Sequence, residues 1–433
     1  MITQIEIENF KCFKNRVSFP LGKLTLLTGV NGRGKSTLLQ SLLLMKQSIE
    51  HNQNTGQILF NGSCINLNSF DDIHNKDTSR DDSIFFKYYF DCFMSKGYIE
   101  YSLSEQQSDD MIAQITQLTL FNELFNKDGS KFDSSTYPPL THDIERIYFL
   151  LNIKDNVFHH FSISGHNILT GLLNLVPDNF ICDDVGIGTV KYDSPFEYSI
   201  NLDRIHYISA DRIGPKDFYT KSTLGKFPNV GARGEFTANL LYKKQDELVD
   251  DGLCIGEDAK TLITQTEAWL SKIFGGAKLE IPSSQSSILE LLFNTSASKD
   301  RFKPANVGFG FHSVLPIIVS GLIAKEGEIL IVENPEIHLH PRAQSELSKF
   351  LAKVSSCGVQ VLVESHSDHI LNGLRIAVLD KIINSEDLSV LYFQNNLENP
   401  VVQIPVQPDG GIEEWPDDFF DQTSKDFERL FGI

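Results

Sequence analysis

Apolar and polar positions alternate through Met1-Ile2-Thr3-Gln4-Ile5-Glu6, and the pattern predicts a strand over Ile2 to Phe10. A second, continuously apolar strand is predicted over Lys23 to Thr28. It runs straight into Gly29-Val30-Asn31-Gly32-Arg33-Gly34-Lys35-Ser36, after which Thr37 to Leu44 has the composition of a helix. From Ile58 to Phe121 short apolar stretches alternate with turn residues, including Ile84 to Phe90 and Tyr98 to Leu103, as antiparallel strands do. Spacing turns helical around His142 to Leu175, with Ile144, Ile147, Leu150 and Leu151 along one face, and Tyr207 to Ile213 returns to strand character. Residues 216–300 read as mixed helix and loop, with polar stretches of low order at Ser283 to Ser287 and Asn294 to Lys299.

Beyond residue 300 the pattern is regular. Helices are predicted at Ser313 to Ala324, Pro341 to Val354 and after Ser367. Strands are predicted at Glu328 to Val332, Val359 to Val363, Val390 to Gln394 and Val401 to Pro405. Alternating strands and helices imply a mostly parallel sheet covered on its faces. No internal repeat and no long heptad run is present. The implied organisation is an N-terminal lobe with an antiparallel β subdomain (1–140), a helical or mixed insertion (141–300), a C-terminal lobe (301–400) and a tail packed on it (401–433).

Composition narrows the setting. No run of about 18 apolar residues exists, so no membrane span is expected, and the N-terminus lacks the regions of a signal peptide. Six scattered cysteines (Cys12, Cys64, Cys92, Cys182, Cys254, Cys357) suit buried free thiols in a reducing cytoplasm. A formal net charge of -19 repels nucleic acid on average, so DNA contact would need a local basic patch. Lys11, Lys14, Arg16 and Lys23 form one candidate, and Lys243 with Lys244 another.

The strongest chemistry lies at Gly29 to Ser36. A strand, Gly-x4-Gly-Lys-Ser and a helix, in that order, make a triphosphate cradle. Backbone N–H groups wrap the phosphates and the helix N-terminus adds its positive end. Gly29, Asn31, Gly32, Arg33, Gly34 and Thr37 line the loop, Lys35 reaches the β- and γ-phosphates, and Ser36 holds Mg2+. Downstream, Glu328 to Val332 ends in Glu333-Asn334-Pro335-Glu336. A buried parallel strand delivers its last side chains to the sheet edge where ligands bind. Glu333 is expected to steady Mg2+ through water and Glu336 to polarise the attacking water as general base. His366, just past the neighbouring strand, is the candidate γ-phosphate sensor. His338 and His340 read as a turn packing against a partner subunit rather than a metal pair.

Three stretches carry a family resemblance. Gly29 to Ser36, Glu333 to Glu336 with His338-Leu339-His340-Pro341, and Glu364-Ser365-His366-Ser367-Asp368-His369 together resemble ABC-class, AAA-type ATPases of the overcoming-lysogenization-defect (OLD), RecF and SMC-like group. The resemblance covers both ends of the chain well and the middle poorly. It implies an α/β ABC-ATPase head with a mostly parallel sheet, an antiparallel β subdomain and a helical insertion. It also implies hydrolysis of Mg-ATP. The tail, Gly410-Gly411-Ile412-Glu413-Glu414-Trp415 onward, looks like the closing segment of one bacterial branch, whose members serve as the ATPase component of anti-phage systems of the Septu and PARIS kind. In that branch a glycine-rich signature resembles Asn306-Val307-Gly308-Phe309-Gly310, and Gly308 and Gly310 would approach the γ-phosphate held by another subunit. Similar proteins carry Ser-Gln where this chain has His312-Ser313, a departure that bears on hydrolysis rate.

The implied partners are a second copy of the head, as a homodimer or larger homo-oligomer, and a separate effector protein, a nuclease. Only about 65 residues follow His366, too few for a nuclease domain. The competing function is a RecF-like repair ATPase acting on DNA directly; a transporter subunit is disfavoured by the large middle insertion. Arg212, in Ser209-Ala210-Asp211-Arg212-Ile213-Gly214-Pro215, reads as a nucleotide or interface contact, or as a structural ion pair. Gly231 to Glu235 reads as a contact loop. Trp269 reads as core, and Trp415 with Phe419 and Phe420 as the tail's packing residues or, if exposed, as an aromatic cluster that docks a partner.

Overall fold

The computed structural model describes residues 1–92, 95–124, 147–154, 157–158, 161–163, 166–184, 188–192, 200–256, 259–282, 287–294, 300–396 and 398–432. The chain forms two compact units, one of residues 1–21 and 32–203, the other of 22–31 and 204–433.

The first unit is built on antiparallel strands: β1 (Ile2–Glu8), β2 (Val17–Pro20), β4 (Gln57–Leu59), β5 (Ile84–Cys92), β6 (Ser95–Gln106), β7 (Asp109–Leu124), β8 (Ile147–Lys154) and β9 (Val157–Phe158). Their order is β2-β1-β5-β6-β7-β8-β9, with β4 paired to β7. Burial alternates along β5, from Ile84 through Phe86 and Tyr88 to Phe90, as it must where one face packs and the other is wet. Helices α1 (Lys35–His51) and α2 (Phe70–Ile73) belong to this unit. Buried Tyr88 donates from its hydroxyl to Ser41 O at 3.1 Å, tying α1 to the sheet. Four more strands, β10 (Phe161–Ile163), β11 (His166–Leu173), β12 (Val176–Asp184) and β13 (Gly188–Tyr192), make a separate antiparallel sheet.

Helical spacing over His142 to Leu175 is therefore a misreading where the structure describes it. Residues 147–154 and 166–173 are strands, and residues 142–146, with Ile144, lie outside the described residues. Leu150 and Leu151 are neighbours in an apolar run, and such a run does not tell helix from strand; pairing with β7 decides it. Helices occur farther along, at α3 (Thr237–Lys244) and α4 (Leu262–Phe274).

The second unit holds the α/β sheet. Its strands are β3 (Leu24–Gly29), β14 (Ile205–Ile208), β19 (Ile329–Glu333), β20 (Gln360–Glu364), β21 (Leu388–Phe393) and β22 (Val401–Ile404), in the order β14-β19-β20-β3-β21-β22. All pairs are parallel except β21 with β22. β3, β19, β20 and β21 are buried almost throughout, which is why they read as continuous apolar runs. Helices α5 (Phe309–Ile323), α6 (Pro341–Ser356), α7 (Asp368–Leu379) and α8 (Gln422–Phe431) complete the unit. Two short ribbons pair β15 (Tyr219–Thr220) with β17 (Ile288–Leu289) and β16 (Lys278–Glu280) with β18 (Leu292–Asn294). Leu26, Val332 and Val363 from the sheet and Ile318, Phe350 and Leu374 from the helices share one core, and Trp269 packs edge-on against Phe350 at 4.8 Å.

Among the described residues no helix is long and apolar enough to cross a membrane. Five of the cysteines are free thiols that are not buried: Cys12 is exposed and Cys64, Cys92, Cys254 and Cys357 are half-buried.

Candidate functional site

Parallel strands all point their C-terminal ends one way, so β3, β19 and β20 deliver their last residues to one sheet edge. Register makes this concrete: Glu333 pairs with Glu364, and Glu364 with Leu27. Past β19, the Asn334 N–H donates to Glu364 O at 2.7 Å, and Asn334 takes a left-handed φ of 43°. A tight turn follows, with Leu339 N donating to Glu336 O at 3.0 Å and His338 at φ 62°. Pro341 then opens α6, and His340 caps it by accepting from Arg342 N at 3.3 Å. Ser367 caps α7 in the same manner, accepting from His369 N at 3.1 Å.

Glu336 is fixed by the end of β20. Its Oε2 accepts from the Ser365 hydroxyl and its Oε1 from the His366 N–H, both at 2.9 Å. Glu333 faces β14 instead, accepting from the Tyr207 hydroxyl and the Ala210 N–H, each at 3.1 Å. Burial pushes the Glu333 carboxyl above its ordinary value, against the opposing pull of those hydrogen bonds. Each of its oxygens keeps a lone pair, and carboxylate oxygens suit a hard cation such as Mg2+.

Among the described residues no carboxylate forms a close ion pair with Arg212, and Glu336 and Glu333 act on it at longer range. Its buried guanidinium donates to Glu333 O at 2.9 Å and to Asn334 O at the end of β19, and to Ser209 O at 3.3 Å just past β14, clamping the ends of the two strands together. Burial lowers its pKa to about 10, so it stays charged. Nothing in the spacing of Ser209 to Pro215 shows this clamp, because it is made to a strand more than a hundred residues away.

The phosphate loop leaves β3 in the sheet unit and enters α1 of the other. Gly29 has φ 117°, and a Cβ there would lie 2.2 Å from Phe393 O, so no side chain fits. Val30 N donates to that same carbonyl at 2.8 Å. Gly34 is the N-cap of α1 at φ 103°, where a Cβ would meet the Phe13 ring at 2.2 Å. Asn31, Gly32 and Arg33 are exposed, Ser36 is half-buried, and Lys35 and Thr37 are buried. The contacts of Gly29 and Gly34 show that both glycines are demanded by backbone geometry and close packing.

The glycine-rich stretch lies in the sheet unit. Gly308 is the N-cap of α5 with an ordinary φ of -55°, and a Cβ there meets nothing within 4 Å. Gly310 differs: a Cβ would lie 2.9 Å from His338 O. Ser313 donates to Gly310 O at 2.9 Å and to Ile337 O at 3.2 Å, and the Phe309 ring lies 4.5 Å from that of His338. The glycine-rich turn and the Glu336 to His340 turn are thus braced together. His312 points inward, its Nε2 within 3.1 Å of Pro304 O and its ring edge-on to Phe293, and burial lowers its pKa. It anchors the turn from behind.

A cavity of about 240 Å³ opens at the same edge. The start of the phosphate loop and His366 line one part of it, and Tyr392, Asp418 and Asp421 another. The tail's part in this wall was not legible in the sequence, where Trp415, Phe419 and Phe420 read as packing residues or as a docking cluster for a partner. Phe419 does pack, fully buried against Tyr392 at a ring distance of 5.2 Å.

Residues 1–371 match the family described as AAA ATPase domain (AAA_15), and residues 383–430 match one described as Protein of unknown function (DUF3696). No curated protein matches the chain. Solved structures similar to it include an SmcHead bound to the C-winged helix domain of ScpA, at 14% identity and TM-score 0.43 over 94% of this chain and 98% of that one. Another is the SMC head domain from Thermotoga maritima, at 10% identity and TM-score 0.38 over 94% and 99%. A third is an Smc head domain with an extended coiled coil, bound to the C-terminal domain of ScpA derived from Pyrococcus furiosus, at 11% and 0.42 over 99% of each chain. At those TM-scores the likenesses carry no part of the assignment, which rests on the family pattern and on the site. That pattern spans the phosphate loop, Glu333, Glu336 and His366, and the chain belongs to the AAA ATPase domain family as a nucleotide-binding ATP hydrolase.

Proposed function

We propose that this ATPase hydrolyses Mg-ATP at a composite site between two copies of the chain, and that the cycle controls a separate effector, a nuclease, in bacterial anti-phage defence. One observation carries the catalytic part: Glu336 is held by two hydrogen bonds at the edge where β3 hands over to the phosphate loop. In this reading Lys35 binds the β- and γ-phosphates, and Gly29 to Gly34 present backbone N–H groups to them. Ser36 and Glu333 would hold Mg2+, which when bound supplies charge neutralisation of the phosphates. Glu336 takes a proton from the attacking water, and Ser365 and the His366 N–H keep its carboxylate aimed. His366 contacts the γ-phosphate.

The composite site is supported by Gly308. Its place at a helix N-terminus with open space beside it is that of an anion-binding backbone turn offered outward. Its openness also makes it the right probe. A bulky side chain at Gly310 would strike His338 O and damage the turn itself, whereas Gly308→Leu leaves the fold alone. Gly308→Leu and Lys35→Ala should each abolish turnover, Lys35→Ala through lost nucleotide binding. Mixed in equal amounts they should recover about a quarter of wild-type activity, since half the dimers are mixed and each has one intact site. Mixed dimers that form yet hydrolyse nothing would refute independent composite sites.

The defence role is supported by the tail and the motif set that resemble anti-phage ATPases. Cells carrying the wild-type chain with a neighbouring nuclease should resist phage, and cells carrying Lys35→Ala should not; equal plating on both would refute it. Direct DNA binding is less supported, because three of the six basic candidates are engaged by carboxylates. Arg16 lies among Glu6, Glu8 and Glu100, Lys23 pairs with Asp387, and Lys244 with Glu247.

A further inference from the structure

The cavity beside the phosphate loop has a wall that the catalytic reading does not use. We propose that the turn Asp418–Gln422 belongs to the nucleotide site as a discriminator: it disfavours triphosphate relative to diphosphate, and triphosphate binding displaces it. The proposal rests on nucleotide binding by the phosphate loop and goes beyond it by giving the tail a role.

The first support is position. Thr28, Gly29 and His366 line the same cavity as Asp418 and Asp421, so the tail turn borders the start of the loop that cradles the phosphates. The second is charge. Asp418 and Asp421 lean on Lys425 Nζ at 2.8 and 2.9 Å, so a single ammonium balances two carboxylates. A terminal phosphate brought to this edge adds negative charge to a wall already short of positive charge, and like charges repel. A diphosphate lacks that group. Coupling is reciprocal: a turn that weakens triphosphate binding is itself destabilised by triphosphate to the same degree.

The third support is mechanical. Upstream the tail is pinned: the Arg375 Nε–H donates to Gly410 O at 2.7 Å and its guanidinium lies over the Trp415 ring at 5.5 Å. The turn itself hangs on the Tyr392 hydroxyl, which donates to Asp417 O at 3.1 Å, and on Phe419. Asp418 and Phe420 sit at φ 63° and 54°, a region that non-glycine residues rarely occupy. Beyond the turn α8 buries no side chain, so it resists displacement little. The segment is pinned up to Trp415, the turn is held at Asp417 and Phe419, and α8 beyond it buries no side chain, so a moving part would begin at the turn.

Trp415 is the reporter. It lies 5.2 Å from Phe419 and is 45% exposed, whereas the only other tryptophan, Trp269, is buried in the core. A non-hydrolysable ATP analogue should change tryptophan emission of the full chain and ADP should not, and Trp415→Phe should remove the change. Amide hydrogen exchange over 416–432 should rise with the analogue alone. Asp418→Asn with Asp421→Asn should raise affinity for the analogue several-fold relative to ADP. Wild-type protein that binds both nucleotides with the same emission and the same exchange, and a double variant with an unchanged affinity ratio, would overturn the proposal. Wild-type protein that binds neither nucleotide would overturn the phosphate-loop reading beneath it as well.

Discussion

Replacing Glu336 by Gln separates chemistry from architecture at this site. The carboxylate accepts two hydrogen bonds, from a backbone N–H that can only donate and from a hydroxyl that can do either. A glutamine can keep both: its oxygen accepts from His366 N and its amide donates to Ser365, whose hydroxyl turns round. What is lost is the charge assistance, a difference of about 1 kcal/mol in stability, which lowers the melting temperature by no more than about 4 °C. Loss of a general base costs far more in rate, about 10²- to 10⁴-fold, or roughly 3–5 kcal/mol of barrier. Single-turnover phosphate release, nucleotide retention on a filter and a thermal melt separate the two effects. The expected protein is folded, holds ATP and hardly turns it over. Ser365→Ala should fall between, since it removes the partner of Oε2 and leaves that of Oε1. A well-folded Glu336→Gln protein turning over within about threefold of wild type would show that another group is the base.

Arg212→Met should lower kcat with little change in the KM for ATP, because it unclamps the carbonyls of Glu333 and Asn334 and leaves the phosphate loop intact. It should also destabilise the chain by about 2–4 kcal/mol through the stranded carbonyls. Arg212→Lys, which keeps charge and loses the fork, should restore stability more than kcat, and full kcat in the Met variant would refute the clamp. Stability should also fall in acid through Glu328. Burial alone would raise its pKa, but the hydrogen bonds from His206 at 3.0 Å and from Lys325 N outweigh burial and hold it below the ordinary value. Its contribution is complete above the ordinary carboxylate range and disappears as pH falls through the lowered folded value. Urea melts at neutral and acid pH should converge for Glu328→Gln relative to wild type, and a constant difference between the two proteins would refute this.

The sequence alone determined the elements whose physics is local. A phosphate loop is one contiguous run of residues, and Gly29 to Ser36 carries its turn, its lysine and its helix start together. Strands β3, β19 and β20 are buried on both faces, so each is an uninterrupted apolar run and was found to within a residue or two at most of its ends. The helix α6 was bounded by Pro341, which cannot sit deep in a helix but starts one well. Residues 147–154 and 166–173 failed for the opposite reason: short apolar runs fit a helix face and a strand alike, and only the neighbouring strands, β7 for the first and β10 and β12 for the second, supply the hydrogen bonds that choose. Sequence order likewise could not bring Ser365 and His366 to Glu336, or Arg212 to Glu333 and Asn334, since those contacts follow from which strands pair. Nor could it show that the tail returns to the phosphate loop, because Asp418 and Gly29 lie almost the whole chain apart and share a cavity only through the packing of Phe419 on Tyr392 beside β3. Local chemistry is written in neighbours along the chain; the site's alignment and its candidate wall are decided by neighbours across the sheet.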